Sequence, residues 1–212
     1  MTKIADIRKE YKLEELDIKD VHQNPIEQFK FWFDEALKAQ VIEPNAMFLA
    51  TVSPFGQPTG RIVLLKGIEE GGFVFYTNYN SRKGGEITHN QLVSLTFFWA
   101  DLERQVRIEG KALKVSEETS TNYFISRPRD SQIGAWASPQ SQQVAGKETL
   151  LELFEKYKTE FTEKPLVKPP HWGGYVVMPH YLEFWQGRPS RMHDRICYTL
   201  ENNDWNIKRI AP

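Results

Sequence analysis

Apolar and polar positions alternate with period two through the middle of the chain. Five such runs predict successive β-strands: Met47–Ser53, Gly60–Lys66, Gly72–Thr77, Val93–Ala100 and Gln105–Val115. The Ser53-Pro54-Phe55-Gly56-Gln57-Pro58 segment between the first two reads as a hairpin connection. Ahead of them, Asn24-Pro25-Ile26-Glu27 supplies an N-cap, a proline at N1 and a glutamate at N3. Ile26, Phe29, Phe33 and Leu37 then recur at helical spacing, so a helix is predicted over residues 25–40. Short helices are predicted near 82–89, over Glu117–Arg127 (ended by Pro128) and over Ser131–Ala137. Lys147–Phe161 is amphipathic, with Leu150, Phe154, Tyr157 and Phe161 on one face. Strands return at Gly174–Trp185, Asp194–Thr199 and Trp205–Arg209. Consecutive strands with helices outside predict a mainly β, α+β fold, a closed or half-closed antiparallel barrel. Residues 1–20 are charge-dense and poor in apolar residues, an arm expected to order on binding, and residues 21–212 form one domain.

Composition narrows the function classes. The 212 residues carry a formal charge of −1 with a sequence pI near 6.5, so no global basic field draws the chain to nucleic acid or membrane. An anion site must then be a local cluster of Arg and Lys. Cys197 is the only cysteine, which forbids an intrachain disulfide and fits a reducing compartment. The N-terminus has no apolar signal core, and the Leu92–Ala100 run is too short to span a bilayer. A soluble, cytoplasmic protein is expected. The five histidines show no close ligand pair, so no metal site is expected. No glycine-rich dinucleotide or P-loop motif follows a strand.

The chemistry concentrates in a few segments. In Tyr76-Thr77-Asn78-Tyr79-Asn80-Ser81-Arg82-Lys83 an apolar strand ends in a turn and Ser81 offers a helix N-cap. Cations in a first helical turn are disfavoured by the helix dipole. Arg82 and Lys83 are therefore either solvated or companions of a dianionic phosphate. Arg61 and Lys66 end one strand, but their odd spacing aims them at opposite faces unless a bulge intervenes. Gln105, Arg107 and Glu109 share a strand face. Tyr123 and Arg127 lie one helical turn apart, with Ser131 just beyond Pro128, a set suited to a second phosphate. Near the C-terminus, Gly187 to Ser190 read as a hairpin turn. Period two then puts Arg191, His193 and Arg195 on one face, where three bases repel unless an anion or an electron-rich ring lies between them.

Taken in order, these segments resemble the pyridoxamine/pyridoxine 5'-phosphate oxidase family. The resemblance rests on Arg8-Lys9-Glu10-Tyr11, Gly60-Arg61 to Lys66, Tyr76-Thr77-Asn78 with Ser81-Arg82-Lys83, and Arg104-Gln105-Val106-Arg107. Tyr123 with Arg127 and Ser131, Gln140-Ser141, and Arg191-Met192-His193-Asp194-Arg195 complete it. It is collinear over essentially the whole chain. Met192 departs from the family, which more often shows Leu, and Gly84-Gly85 is glycine-rich for a first helical turn.

The resemblance implies a split β-barrel homodimer with FMN at the subunit interface. It implies that FMN is held by Arg61 to Lys66 (through Ile62, Val63, Leu64 and Leu65), Tyr76, Thr77, Arg82, Lys83, Gln105, Gln140, Ser141, Trp185 and Arg195. Lys66, Tyr123, Arg127 and Ser131 would grip the substrate phosphate. Arg191 and His193 would hold the pyridine ring as catalytic residues, with Arg8 and Tyr11 closing over it. The implied reaction oxidises pyridoxamine or pyridoxine 5'-phosphate to pyridoxal 5'-phosphate with dioxygen. A split-barrel flavin reductase-like enzyme and a non-catalytic FMN-binding module are the alternatives.

Overall fold

The computed structural model describes residues 3–6 and 9–212. Nine strands form one antiparallel sheet: β1 (Ala46–Val52), β2 (Pro58–Leu64), β3 (Gly67–Glu69), β4 (Gly72–Asn78), β5 (Leu92–Trp99), β6 (Arg104–Lys114), β7 (Trp172–Gln186), β8 (Asp194–Glu201) and β9 (Asp204–Arg209). The order is β2-β1-β5-β6-β7-β4-β3, with β8 paired to β7 and β9 to β8. The terminal strands β2 and β3 are joined by Leu65 and Lys66 alone. Leu65 N–H donates to the Asn45 carbonyl (2.8 Å) and Lys66 N–H to the Val74 carbonyl (2.8 Å). The chain thus passes from one end of the sheet to the other within two residues, which rolls the sheet into a barrel. The three-residue β3 is too short for a period-two pattern to show.

β7 spans the whole assembly. Residues 172–177 pair with β4, residues 181–186 pair with β8, and β6 runs along both halves with a register shift at Glu109/Gly110. Such a bulge bends a long strand.

Helix α1 (Pro25–Lys38) packs its apolar face on the barrel. The Asn24 side chain accepts the Ile26 N–H (2.8 Å), the expected cap. Its buried apolar face is Ile26, Phe29, Trp32 and Ala36, with Phe33 half-buried and the expected Leu37 52% exposed. Phe29 is fully buried, with ring centroids 4.9 Å from Phe73 and 5.0 Å from Phe97. Met47, Leu49, Phe75, Leu95, Trp99, Val106, Ile108, Leu182, Phe184, Ile196 and Tyr198 belong to the same core.

The remaining helices are α2 (Arg82–His89), α3 (Glu117–Ser126), α4 (Arg129–Ala137) and α5 (Lys147–Glu163). Trp136 of α4 meets Tyr157 and Phe161 of α5 at 5.7 and 5.3 Å, while Leu150 stays 38% exposed. Gly84 does not fray α2. A Cβ there would lie 2.1 Å from the Tyr79 carbonyl oxygen, so its absence lets the preceding turn pass closely.

Candidate active site

Two groups of the predicted residues gather at two separate cavities. The first cavity, of about 900 Å³, is built by β2, β4, α3 and α4. Arg61, Ile62, Val63, Leu64 and Lys66 line it from β2 and the barrel link. Arg61 and Lys66 share it because β2 ends at Leu64, the irregularity that their odd spacing requires. Tyr76, Thr77 and Lys83 line it from β4 and α2, and Gln140 and Ser141 from the loop after α4. Tyr123, Arg127 and Ser131 line the same space.

Lys83 Nζ donates to Thr77 Oγ1 (3.2 Å) and Gln140 Oε1 (3.1 Å). Burial, then the nearby Arg61 charge, pushes its ammonium below the ordinary lysine range, against a smaller pull from Glu86. Arg127 sits at the end of α3 in extended backbone, not inside the helix as its spacing with Tyr123 suggested. Its guanidinium lies 4.7 Å from the Trp172 ring centroid. Its Nη1 is buried without a hydrogen-bond partner, and burial lowers its pKa. Neither cation has a carboxylate partner among the described residues. Beside them the rings of Tyr76, Tyr123 and Trp172 lie nearly parallel, Tyr76 and Tyr123 3.8 Å apart. Burial, with smaller contributions from Glu69 and Tyr123, raises the Tyr76 phenol to about 12, so it stays protonated at neutral pH.

Arg82 does not line this cavity. It reaches back to Glu86, Nε to Oε1 at 2.9 Å. Leu65 also points away, into the barrel core. Glu86 itself gave no signal in the sequence. It is 4% exposed and receives Arg61 Nη2 (3.1 Å), Thr59 (2.6 Å) and Thr51 (2.5 Å) on Oε2. Those donors outweigh burial and hold the carboxyl at about 2. Trp172 was likewise missed.

The second cavity, of about 770 Å³, is lined by Lys9, Glu10, Tyr11, Arg188, Ser190, Arg191 and His193. His193 packs 4.7 Å from Trp185, and Tyr11 meets both rings edge-on at 5.8 and 5.6 Å. His193 Nδ1 accepts the Arg188 N–H (3.0 Å). Burial and then Arg191 lower its pKa, against Asp194. The predicted common strand face of Arg191, His193 and Arg195 does not form. Arg191 lies in a 3₁₀ turn at φ 61°, and β8 begins only at Asp194. Nor does Arg195 need an external anion. It pairs with buried Glu183 through Nε–Oε1 and Nη2–Oε2, both 2.9 Å. Gln105 stands opposite Trp185 on β6 and lines neither cavity. Arg8 lies outside the described residues.

The described arm is tied to the barrel. Glu103, 2% exposed, accepts the N–H groups of Lys12 (2.8 Å) and Leu13 (3.2 Å). Gly187 makes room for it, since a Cβ there would lie 2.7 Å from Tyr11 Cγ.

A rolled antiparallel barrel with helices outside and a cationic, aromatic-lined cavity defines a split-barrel protein. A family profile described as pyridoxamine 5'-phosphate oxidase matches residues 33–156. A second, the pyridoxine 5'-phosphate oxidase C-terminal dimerisation region, matches residues 172–212. The chain belongs to the pyridoxamine 5'-phosphate oxidase family. Among relatives named pyridoxine/pyridoxamine 5'-phosphate oxidase, that of Cytophaga hutchinsonii is 57% identical over 100% of this chain and 99% of its own. That of Paraburkholderia xenovorans is 52% identical over 100% of both. Among solved structures, PhzG from Burkholderia lata, in complex with tetrahydrophenazine-1-carboxylic acid, has a TM-score of 0.89 at 28% identity, covering 96% of this chain and 100% of that one. A pyridoxamine 5'-phosphate oxidase-related, FMN binding protein from Nostoc punctiforme shares the fold, with a TM-score of 0.70 at 16% identity over 87% and 97% of the two chains. No helix among the described residues is long and apolar enough to cross a membrane.

Proposed function

We propose that the chain is an FMN-dependent oxidase that converts pyridoxamine or pyridoxine 5'-phosphate to pyridoxal 5'-phosphate. The observation that carries this reading is the buried Nη1 of Arg127, without a hydrogen-bond partner, in a cavity whose Lys66 and Lys83 have no carboxylate partner among the described residues. Unpaired buried donors are costly, and a phosphate oxygen would satisfy them. The residues fit FMN: Lys83, Thr77, Gln140, Ser141 and Arg61 offer donors for its polar groups, and the 62–64 backbone walls the same space. Bound FMN would supply the electron sink, taking a hydride from the substrate's C4′ carbon before dioxygen removes the electrons as hydrogen peroxide; the amine substrate then loses ammonia on hydrolysis.

The protein's share is placement. Arg127, Tyr123, Ser131 and Lys66 anchor the substrate phosphate and so fix the position of C4′. Arg191 and His193 hold the pyridine ring, and the depressed pKa of His193 keeps its imidazole neutral at physiological pH, able to accept or orient a hydrogen bond. Tyr11, beside His193, covers the ring and excludes water.

The active unit in this reading is a homodimer. Trp172, which lines the first cavity, and Trp185, which packs on His193 of the second, lie on the same strand. At a strand rise near 3.3 Å per residue they stand up to roughly 40 Å apart, too far for one chain to bring both sets to one flavin. Two antiparallel copies would bring the 191–193 loop of one chain to the cavity of the other, in keeping with the dimerisation region matched at 172–212.

Anaerobic addition of pyridoxine 5'-phosphate to the yellow holoprotein tests the reading. Bleaching of the flavin absorbance, reversed by air with release of hydrogen peroxide, is expected. A protein that holds FMN yet keeps its colour would be a binding module or an enzyme for another substrate. A carboxylate substrate like the PhzG ligand is disfavoured by the phosphate-type anchor at Arg127 and by the lower identity to that protein.

A further inference from the structure

Glu86 poses an electrostatic problem. It is a buried carboxylate paired with Arg61, which on the reading above offers a donor to FMN, and a negative charge there opposes anion binding. Its contacts suggest what offsets that penalty. Oε1 receives Arg82 Nε (2.9 Å), and Oε2 receives Arg61 Nη2 (3.1 Å). Thr59 Oγ1 bridges the two partners, 2.6 Å from Glu86 Oε2 and 2.8 Å from Arg61 Nη2. The remaining tethers of Arg61 are the Leu49 carbonyl (3.3 Å) and the Thr51 hydroxyl on Nη1. Arg82 is 63% exposed on its side chain and has no other acceptor among the described residues, so Glu86 alone orients its guanidinium.

We propose that Glu86 is the positioning residue of the phosphate cradle: it fixes Arg61, which lines the cavity with Lys83, so that its donors are preset for a phosphate monoester. It touches no ligand and acts through Arg61. It also sets the charge of the cradle. Around Glu86, the cations Arg61, Arg82 and Lys83 less this carboxylate leave a net two positive charges to meet a dianionic phosphate. Flexible guanidiniums would have to be ordered at each binding event, a cost that preorganisation removes. The proposal rests on the FMN reading of this cavity.

The direction of one isosteric substitution tests it. Apoprotein is titrated with FMN and with riboflavin, which lacks the phosphate, and both dissociation constants are read from flavin fluorescence. In Glu86→Gln the preference for FMN over riboflavin should fall about tenfold or more, with riboflavin affinity nearly unchanged, since charge-assisted bonds to the phosphate are loosened. Were Glu86 only a neutralising charge, the same substitution would leave the cradle more positive and raise the preference. An unchanged or increased preference therefore overturns the proposal, as does an equal loss for both flavins, which marks a merely structural residue. Thr59→Val, which removes the bridge and keeps the carboxylate, serves if Glu86→Gln does not fold. Its preference should fall about threefold or more, and no change would overturn the proposal. A wild-type protein with no preference for FMN would instead overturn the cradle itself, a result separable from a preference that merely survives in the variants.

Discussion

The Arg127 guanidinium carbon lies over Trp172, 4.7 Å from its ring centroid, and its Nη1 faces no acceptor. Arg61, Arg82, Arg104, Arg107 and Arg195 all pair with carboxylates. Arg127 is held by a ring instead, and its charge remains available. Arg127→Ala should raise the KM for phosphorylated substrate by one to two orders of magnitude, about 1.5–3 kcal/mol of lost charge-assisted bonding. FMN content should stay at the wild-type level, measured by absorbance after gel filtration. A variant that loses FMN but keeps its KM would reverse the assignment of the two phosphates.

Lys83 is expected to serve the cofactor. Lys83→Met should weaken FMN binding by about 1.5–3 kcal/mol. Because burial and Arg61 already depress its pKa, the free site loses its ammonium at a pH below that of an ordinary lysine. FMN affinity should therefore fall as pH rises toward 10, and that alkaline decline should be shallower in Lys83→Met. Titrations across pH 7–10 read both effects.

Glu86 should make the fold acid-sensitive. Its folded pKa of about 2 lies below the unfolded value of 4.5, so its contribution is complete above pH 4.5 and lost as pH falls toward 2. The contribution is on the order of 3 kcal/mol. Urea midpoints should drop from pH 6 to pH 3.5 by more in wild type than in Glu86→Gln.

Gly187→Ala should release the arm. The new methyl group would overlap the Tyr11 ring, and relief requires Tyr11 to leave Trp185 and His193. Proteolysis within residues 9–16 should accelerate, and substrate KM should rise severalfold, while melting temperature changes little because Tyr11 is outside the barrel core.

Strands with one wet face were legible because the period-two pattern of β6, from Gln105 to Glu109, matches its burial residue by residue. The Asn24 cap and Pro25 marked α1 for the same local reason. What periodicity could not show was pairing between distant elements. Glu86 reads as an ordinary helix glutamate until β1 and β2 bring Thr51, Thr59 and Arg61 to it. Glu183 is hidden in the same way until β8 delivers Arg195. Arg191 was misplaced because the turn runs on to His193, and a left-handed backbone at Ser190 and Arg191 breaks the alternation that its spacing assumes.

The length of β7 has a genetic consequence. In the two-chain arrangement proposed above, each site takes Arg127 from one chain and His193 from the other, because the two cavities hang from opposite ends of that strand. Mixing a chain defective at Arg127 with one defective at His193 would then concentrate both lesions in one site and leave the second site of the same dimer intact. Two variants that are each inactive alone should regain roughly a quarter of wild-type activity after co-expression, as random pairing of subunits dictates. If each site were built from a single chain, the mixture would stay as inactive as its parts.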